Sequence, residues 1–166
     1  MAAGSTYTPI ATTTLGSTTT DYTFTSIPST YTDLVLVSTP LTTGNAAMLV
    51  RFNSDTDTTY IYSQTLMEGN GTSASSSRST GQASYGIGYS SANTTPYTSI
   101  AQFMNYSNTT TFKTSLSRSS AAGVTVLAYV NLWRSTAAIS AIKIFLSGSN
   151  SFTAGTTFTL YGIAAA

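Results

Sequence analysis

The sequence predicts an all-β protein, an antiparallel β-sandwich of about eight to ten short strands. Three observations predict it. Hydrophobic and polar side chains alternate with a period of two along most of the chain, turn-forming residues separate the alternating segments, and no window carries a convincing helical stripe. The composition agrees, because Thr, Tyr and Phe suit a pleated, half-buried surface, and the 166 residues include 34 Thr, 11 Tyr and 7 Phe. The favoured arrangement is a jelly roll.

The first half of the chain holds three segments that predict strands. Residues 22–27, Tyr-Thr-Phe-Thr-Ser-Ile, alternate almost strictly. Residues 34–37, Leu-Val-Leu-Val, form a continuous apolar run, which is typical of a strand buried on both faces. Residues 48–52 alternate again, and Pro, Gly, Asn and Asp residues between the segments supply the turns.

The second half predicts five more strands, at residues 99–106, 112–116, 124–132, 142–146 and 158–162. The longest of them has an apolar face made by Val124, Val126, Ala128, Val130 and Leu132. The one segment with some helical character, residues 134–142, also fits a loop followed by a strand.

Three segments are predicted to be irregular. Residues 1–10 are small and polar, and they predict an extended N-terminal arm ahead of a single domain at 11–166. Residues 69–82 predict a long Ser/Gly loop, and residues 90–97 a second polar loop. Long loops without secondary structure are often functional.

The composition excludes several kinds of chemistry. The chain has no Cys and no His, so it cannot assemble the usual zinc, iron–sulfur or Ser-His-Asp sites. We therefore predict no cofactor and no metal. The net charge is +1 and the cations are scattered, which argues against nucleic acid as a partner. No apolar run reaches the roughly 18 residues that a membrane span needs, so we expect no membrane partner either.

The acidic residues give two candidate sites. Asp55 and Asp57 could in principle pair as the two carboxylates of a glycosidase, and residues 53–57 could offer oxygen ligands to calcium. The favoured interpretation is that Asp55 caps a turn through its side chain and that Asp57 is solvated. We predict no catalytic residue and no enzymatic activity.

Two groups of residues are candidates for binding a partner. Tyr7, Pro9 and Ile10 could anchor the arm, and Trp133 with Arg134 could form an interface pair, although a core Trp fits the sequence equally well. Tyrosines beside the central loops could bind glycans by stacking, but strand packing is favoured. They are Tyr60, Tyr62, Tyr85, Tyr89 and Tyr97.

The surface is dominated by hydroxyl groups. Thr and Ser make up more than a third of the chain, and only 7% of the residues are charged. Few charges lower the cost of desolvating a surface when it is pressed against another. This composition favours a component of a large assembly.

Seven segments stand out beyond their composition: residues 10–15, 24–28, 31–37, 51–55, 105–110, 132–139 and 152–163. The most specific piece is the closing Phe-Thr-Leu-Tyr-Gly-Ile at residues 158–163. These segments resemble a family of small virion structural proteins of tailed phages, over roughly residues 10–163. The resemblance implies a virion β-sandwich without catalysis, and it carries no catalytic motif.

The sequence therefore predicts a capsid decoration (cement) protein that lies on the virion surface. We expect it to bind the major capsid protein as a homotrimer, with the arm lying over neighbouring capsomers. The alternative is a tail-associated or fibre module that binds host surface glycans through the loops at 69–82 and 90–97.

Overall fold

The computed structural model describes residues 6–57, 61–90, 92, 97–121 and 124–164. These residues form twelve strands, and all ladders between strands are antiparallel. The strands are β1 (Tyr7–Thr14), β2 (Asp21–Phe24), β3 (Asp33–Thr39), β4 (Ala46–Phe52), β5 (Tyr62–Gly69), β6 (Ala74–Gln82), β7 (Tyr85–Ser90), β8 (Thr98–Met104), β9 (Lys113–Ala121), β10 (Thr125–Trp133), β11 (Ile142–Leu146) and β12 (Thr157–Ile163).

The strands form two sheets that pack face to face. The larger sheet has eight strands in the order β1-β12-β3-β8-β9-β10-β5-β6, and the smaller has four in the order β2-β11-β4-β7. Successive strands change sheet at every step from β1 to β5, from β6 to β8 and from β10 to β12. The predicted antiparallel β-sandwich is confirmed.

The structure has more strands than the sequence predicts, because four of them carry a weak hydrophobic pattern. They are β1, β5, β6 and β7. The prediction of a long loop at 69–82 is wrong. Asn70 Oδ1 accepts hydrogen bonds from the Thr72 and Ser73 amides at 3.0 and 2.8 Å, which forms a tight turn between β5 and β6. Strand β6 lies at the sheet edge and exposes most of its side chains, so no apolar alternation marks it.

The segment predicted as an arm is a strand from Tyr7 onward. Tyr7 lies opposite Ile163 and Pro9 opposite Tyr161, so the described part of this segment belongs to the sheet. Proline has no amide hydrogen and is tolerated here because β1 is an edge strand. Residues 1–5 lie outside the described residues, as does most of the predicted loop at 90–97. Residues 134–141 form a loop that leads into β11, which is the second of the two interpretations that the sequence allowed.

One part of the core is aromatic. Phe52 lies at its centre, in contact with Tyr62, Tyr85, Phe103 and Trp133 at ring-centroid distances of 5.2–6.2 Å. The Tyr62 hydroxyl accepts the Phe52 amide at 2.9 Å, so its polar end is satisfied. This cluster joins β4 and β7 of the smaller sheet to β5, β8 and β10 of the larger one.

The interior is thin where β7 lies over β9. The inward side chains of β9 include Ser115, Ser117 and Ser119, all buried. Across from them, a Cβ atom at Gly88 would come within 2.9 Å of Ser99 Oγ and 3.0 Å of Ser119 Oγ. Large side chains do not fit in this gap, so the serines of β9 point inward and Leu116 points outward.

Candidate functional site

Asp55 has a structural role. Its Oδ1 accepts the Asp57 amide at 3.0 Å, and its Oδ2 accepts the Trp133 indole Nε1–H at 2.9 Å. The predicted turn at Asp55 is therefore confirmed. Its carboxylate also satisfies the polar atom of a buried tryptophan.

Asn53, from the segment considered for calcium, is also used structurally. Its Oδ1 accepts the Ser140 and Ala141 amides at 2.9 and 3.1 Å, and its Nδ2 donates to the Ala138 carbonyl at 2.7 Å. The side chain therefore holds the 134–141 loop against β4. Among the described residues there is no group of three or more acidic, His or Cys side chains placed to hold a metal ion.

The structure separates the five predicted partner-binding residues. Trp133 is 1% exposed, which places it in the core and corrects its assignment to an interface. Arg134 is half-buried and its amide donates to the Ile61 carbonyl at 2.7 Å. Ile10 packs against the core. Tyr7 and Pro9 are exposed on the outside of the larger sheet.

Most of the tyrosines considered for glycan binding are core residues. Tyr62, Tyr85 and Tyr97 are buried, Tyr89 is half-buried, and Tyr60 lies outside the described residues. Burial raises the pKa of the Tyr62 and Tyr85 hydroxyls well above their ordinary value. Strand packing, the favoured interpretation, is confirmed for these buried rings.

Lys113 is a buried cation that the sequence did not reveal. It is 1% exposed, and its Nζ donates to the Thr111 and Thr136 carbonyls at 2.8 and 3.2 Å. Burial lowers the pKa of this amine. The side chain connects the loop before β9 to the loop after β10, which is a structural role.

The outward surface of the eight-stranded sheet, called the outer face below, is unusually apolar. Ile100, Leu116, Val126 and Val130 are 39%, 48%, 57% and 58% exposed. One row of facing residues crosses all eight strands: Pro9, Tyr161, Val35, Gln102, Leu116, Val130, Thr65 and Arg78. The exposed apolar side chains of this face lie on the neighbouring strands β8, β9 and β10, and apolar side chains that cluster on a surface mark an interaction site.

The outer face carries one cation near its centre and one acid towards its side. Arg118 lies opposite Ile100 and Ala128 and is exposed. Asp33 begins β3, where Oδ2 accepts from Gln102 Nε2 and Oδ1 from the Asn105 amide, both at 2.9 Å. Among the described residues Arg118 has no hydrogen-bond or ion-pair partner.

A polar hollow lies where β5 ends. Its lining includes Asn45, Glu68, Ser75, Tyr89 and Thr125, and its volume is about 350 Å³. The Ser75 hydroxyl donates to Glu68 Oε1 at 2.9 Å. Hydroxyls, amides and a tyrosine side chain are groups that can bind a sugar.

No protein-family model and no curated protein matches this chain. Within the described ranges, no helix has the length and apolarity of a membrane span.

Proposed function

We propose that this protein is a non-enzymatic virion structural protein of a tailed phage, and that it decorates the capsid and stabilises the head. The outer face carries the proposal. Burying apolar surface stabilises a protein or a complex by about 25 cal/mol for each Å² removed from water. The exposed apolar side chains of the outer face would gain this free energy if a partner covered them. A protein that spends its life covered by neighbours in a shell has that surface buried.

The order of the strands supports the same proposal. The larger sheet contains the run β1-β12-β3-β8, and the smaller sheet runs β2-β11-β4-β7, an order that agrees with the wrapped order of an eight-stranded jelly roll. The hairpins β5–β6 and β9–β10 then widen one sheet. Jelly rolls are common in viral capsid and lectin domains, so we propose this arrangement as the fold of the domain.

The charge distribution is also suited to an assembly. Among the described residues the one salt bridge joins Lys143 and Asp21 at 2.9 Å, on the smaller sheet. Attachment to the major capsid protein would then depend on shape and apolar contact, and would respond weakly to salt.

The experiment compares heads with and without the protein. Purified protein is added to phage heads that lack it, and binding is followed by immunogold labelling and by the temperature at which the heads release DNA. We expect gold over the whole head and a higher release temperature. Heads that withstand heat and low salt equally well without the protein would overturn the proposal.

Matched variants test the role of the outer face in that binding. Val130→Lys places a charge in the face, and we expect it to bind heads less well than the native protein. Thr25→Lys places the same charge at an exposed position after β2 of the smaller sheet, and should bind as the native protein does.

The polar hollow favours a second candidate function, a tail-associated or fibre module that binds host surface glycans. Gold confined to the tail would support it. A glycan array would then be probed with native protein and with Tyr89→Ala. Binding that the substitution abolishes would make the hollow the receptor site.

A further inference from the structure

We expect a partner to cover the outer face, and the charges on this face indicate which kind of partner fits it. Arg118 stands unpaired among apolar side chains, where a partner that covers it must supply an acid or leave a guanidinium buried without compensation. Asp33 lies on the same face of the same sheet. A surface that carries both the cation and the acid can complement itself.

The strand register fixes the relative positions of these two charges. Arg118 lies opposite Ile100, and Ile100 lies opposite Val37, four residues along β3 from Asp33. The charges are thus two strands apart and four residues apart along the strand, about 10 Å by 13 Å. The position halfway between them is Gln102, which lies opposite Val35 on β3 and Leu116 on β9.

A two-fold axis placed over Gln102 would exchange the two charges. If the axis lies between two copies, parallel to their faces and perpendicular to the line from Arg118 to Asp33, each Arg118 meets the Asp33 of the other copy. Two-fold interfaces use the same patch on both subunits and must be self-complementary. This register meets that condition, since both ion pairs form at once.

The area is also sufficient. Eight strands about 4.8 Å apart and about seven residues long present a face on the order of 800 Å². A standard stable interface buries about 800 Å² on each partner. The outer face alone therefore matches the size that a stable pair requires.

We propose that two copies of this chain pair through their outer faces, with the two-fold axis over Gln102 and reciprocal Arg118–Asp33 ion pairs. The pairing does not rest on the proposed virion function, because it is a property of the protein in solution, where no capsid covers the outer face. A second copy and the capsid would compete for this face, so heads that bind the protein would displace the second copy. It differs from the homotrimer expected from the sequence, and the mass of the complex distinguishes the two.

Charge reversal tests the ion pairs. Sedimentation equilibrium of the native protein should give the mass of two chains, and Arg118→Asp should raise the dissociation constant about tenfold or more. Adding Asp33→Lys to Arg118→Asp should restore the pairing. The double variant should not pair with native protein, since like charges would then meet.

Because Asp33→Lys also removes two internal hydrogen bonds, thermal unfolding of each variant checks that it folds. Ile100→Lys provides a dissociating variant that leaves Asp33 intact.

Cross-linking tests the position of the axis. The chain has no cysteine, so Gln102→Cys introduces a single thiol per copy beside the proposed axis. Packed sheet faces lie about 10 Å apart, too far for a disulfide, so a short bismaleimide is used. We expect cross-linked dimers from Gln102→Cys and not from the control Thr25→Cys.

Three results would overturn the proposal. They are a single-chain mass at the highest soluble concentration, a complex that Arg118→Asp leaves unchanged, and equal cross-linking of the two cysteine variants.

Discussion

Strands β3 and β9 belong to the same sheet, with only β8 between them, yet they bury opposite kinds of residue. Strand β3 turns Leu34 and Leu36 inward, and both are fully buried. Strand β9 turns Ser115, Ser117 and Ser119 inward and leaves Leu116 outside. The difference follows from what lies across the interior, because β7 approaches β9 closely at Gly88.

The comparison shows that the spacing between the sheets decides which face of a strand is buried. Hydrophobic and polar side chains alternate in both strands, but in β9 the hydrophobic side chain lies on the solvent-exposed face. Where two sheets approach closely, small side chains fill the interior and large ones have no space. The outward position of Leu116 is therefore a consequence of the thin interior beneath β9.

The largest expected difference in the free energy of unfolding is between substitutions of Leu36 on β3 and Leu116 on β9. Leu36→Ala should lower the free energy of unfolding by about 2–5 kcal/mol, because it leaves a cavity in the core. Leu116→Ala should change it by less than about 0.5 kcal/mol, because that side chain is exposed. Urea unfolding followed by the fluorescence of the single Trp measures both, in the Arg118→Asp background to exclude effects of pairing. Equal losses would remove the distinction between β3 and β9.

Alkaline pH tests the dryness of the thin interior. Burial is the main cause that raises the pKa of Tyr129 to about 12, and it raises the pKa of Tyr85, which receives a hydrogen bond from Ser115, still further. A pKa raised in the folded state favours the neutral phenol there, so stability is complete below pH 10 and is lost as the pH rises from 10 to 12. Each such tyrosine contributes a slope of up to about 1.4 kcal/mol per pH unit.

The measurement is urea unfolding at a series of pH values above 9. Tyr129→Phe should reduce the slope between pH 10 and 12, because one ionising group is removed. Lys113 acts in the opposite direction, since burial lowers the pKa of its amine and its deprotonation favours the folded state. A stability that does not change up to pH 12 would contradict a dry interior.

Added volume in the thin interior should be the next largest effect. Ser119→Val should cost about 1–3 kcal/mol, because its methyl groups would crowd Gly88 and Ser99. Ser120→Val, on the exposed side of the same strand, should lie within about 0.5 kcal/mol of the native protein. Thermal unfolding of the two variants measures the difference, and a stable Ser119→Val would show that the gap is wider than described.

The smallest effect distinguishes two neighbouring serines. Ser117 Oγ is buried without a hydrogen-bond partner among the described residues, so Ser117→Ala should be neutral or stabilising by up to about 1 kcal/mol. Ser115 Oγ donates to the Tyr85 hydroxyl at 3.0 Å and accepts from Asn131 Nδ2 at 3.2 Å. Ser115→Ala should therefore destabilise by about 1–3 kcal/mol. Differential scanning calorimetry should show a loss of stability for Ser115→Ala alone, and an equal loss for Ser117→Ala would contradict the prediction.

The sequence predicts the fold class well and the faces of its strands unevenly. Residues 48–52 and 142–146 bury the side chains that their alternation indicates, because a full-depth core lies beneath them. Strand β6 is missed, since an edge strand that buries little has no hydrophobic pattern to read. The local sequence shows that hydrophobic side chains recur at every second position of a strand. Which of the two faces of the strand is buried depends on the opposite sheet.

The candidate site shows the same limit. The turn at Asp55 is predictable because an Asx turn is a local structure. The burial of Lys113 and the spacing of Arg118 and Asp33 depend on strand register, which links residues far apart in the chain. Trp133 fitted either an interface or the core, and only the tertiary structure decides between them.

The pairing of β1 with β12 has a consequence for biogenesis. Tyr7 lies opposite Ile163, so the first described strand acquires its neighbour only when the last one has left the ribosome. Proteins dominated by such distant pairings fold slowly, because a long loop must close before the contacts that stabilise it can form. Until then both the nascent β1 and the edge of β3 are open to other chains. The order in which the strands are synthesised therefore leaves β1 exposed to pairing with the wrong chain until β12 is available.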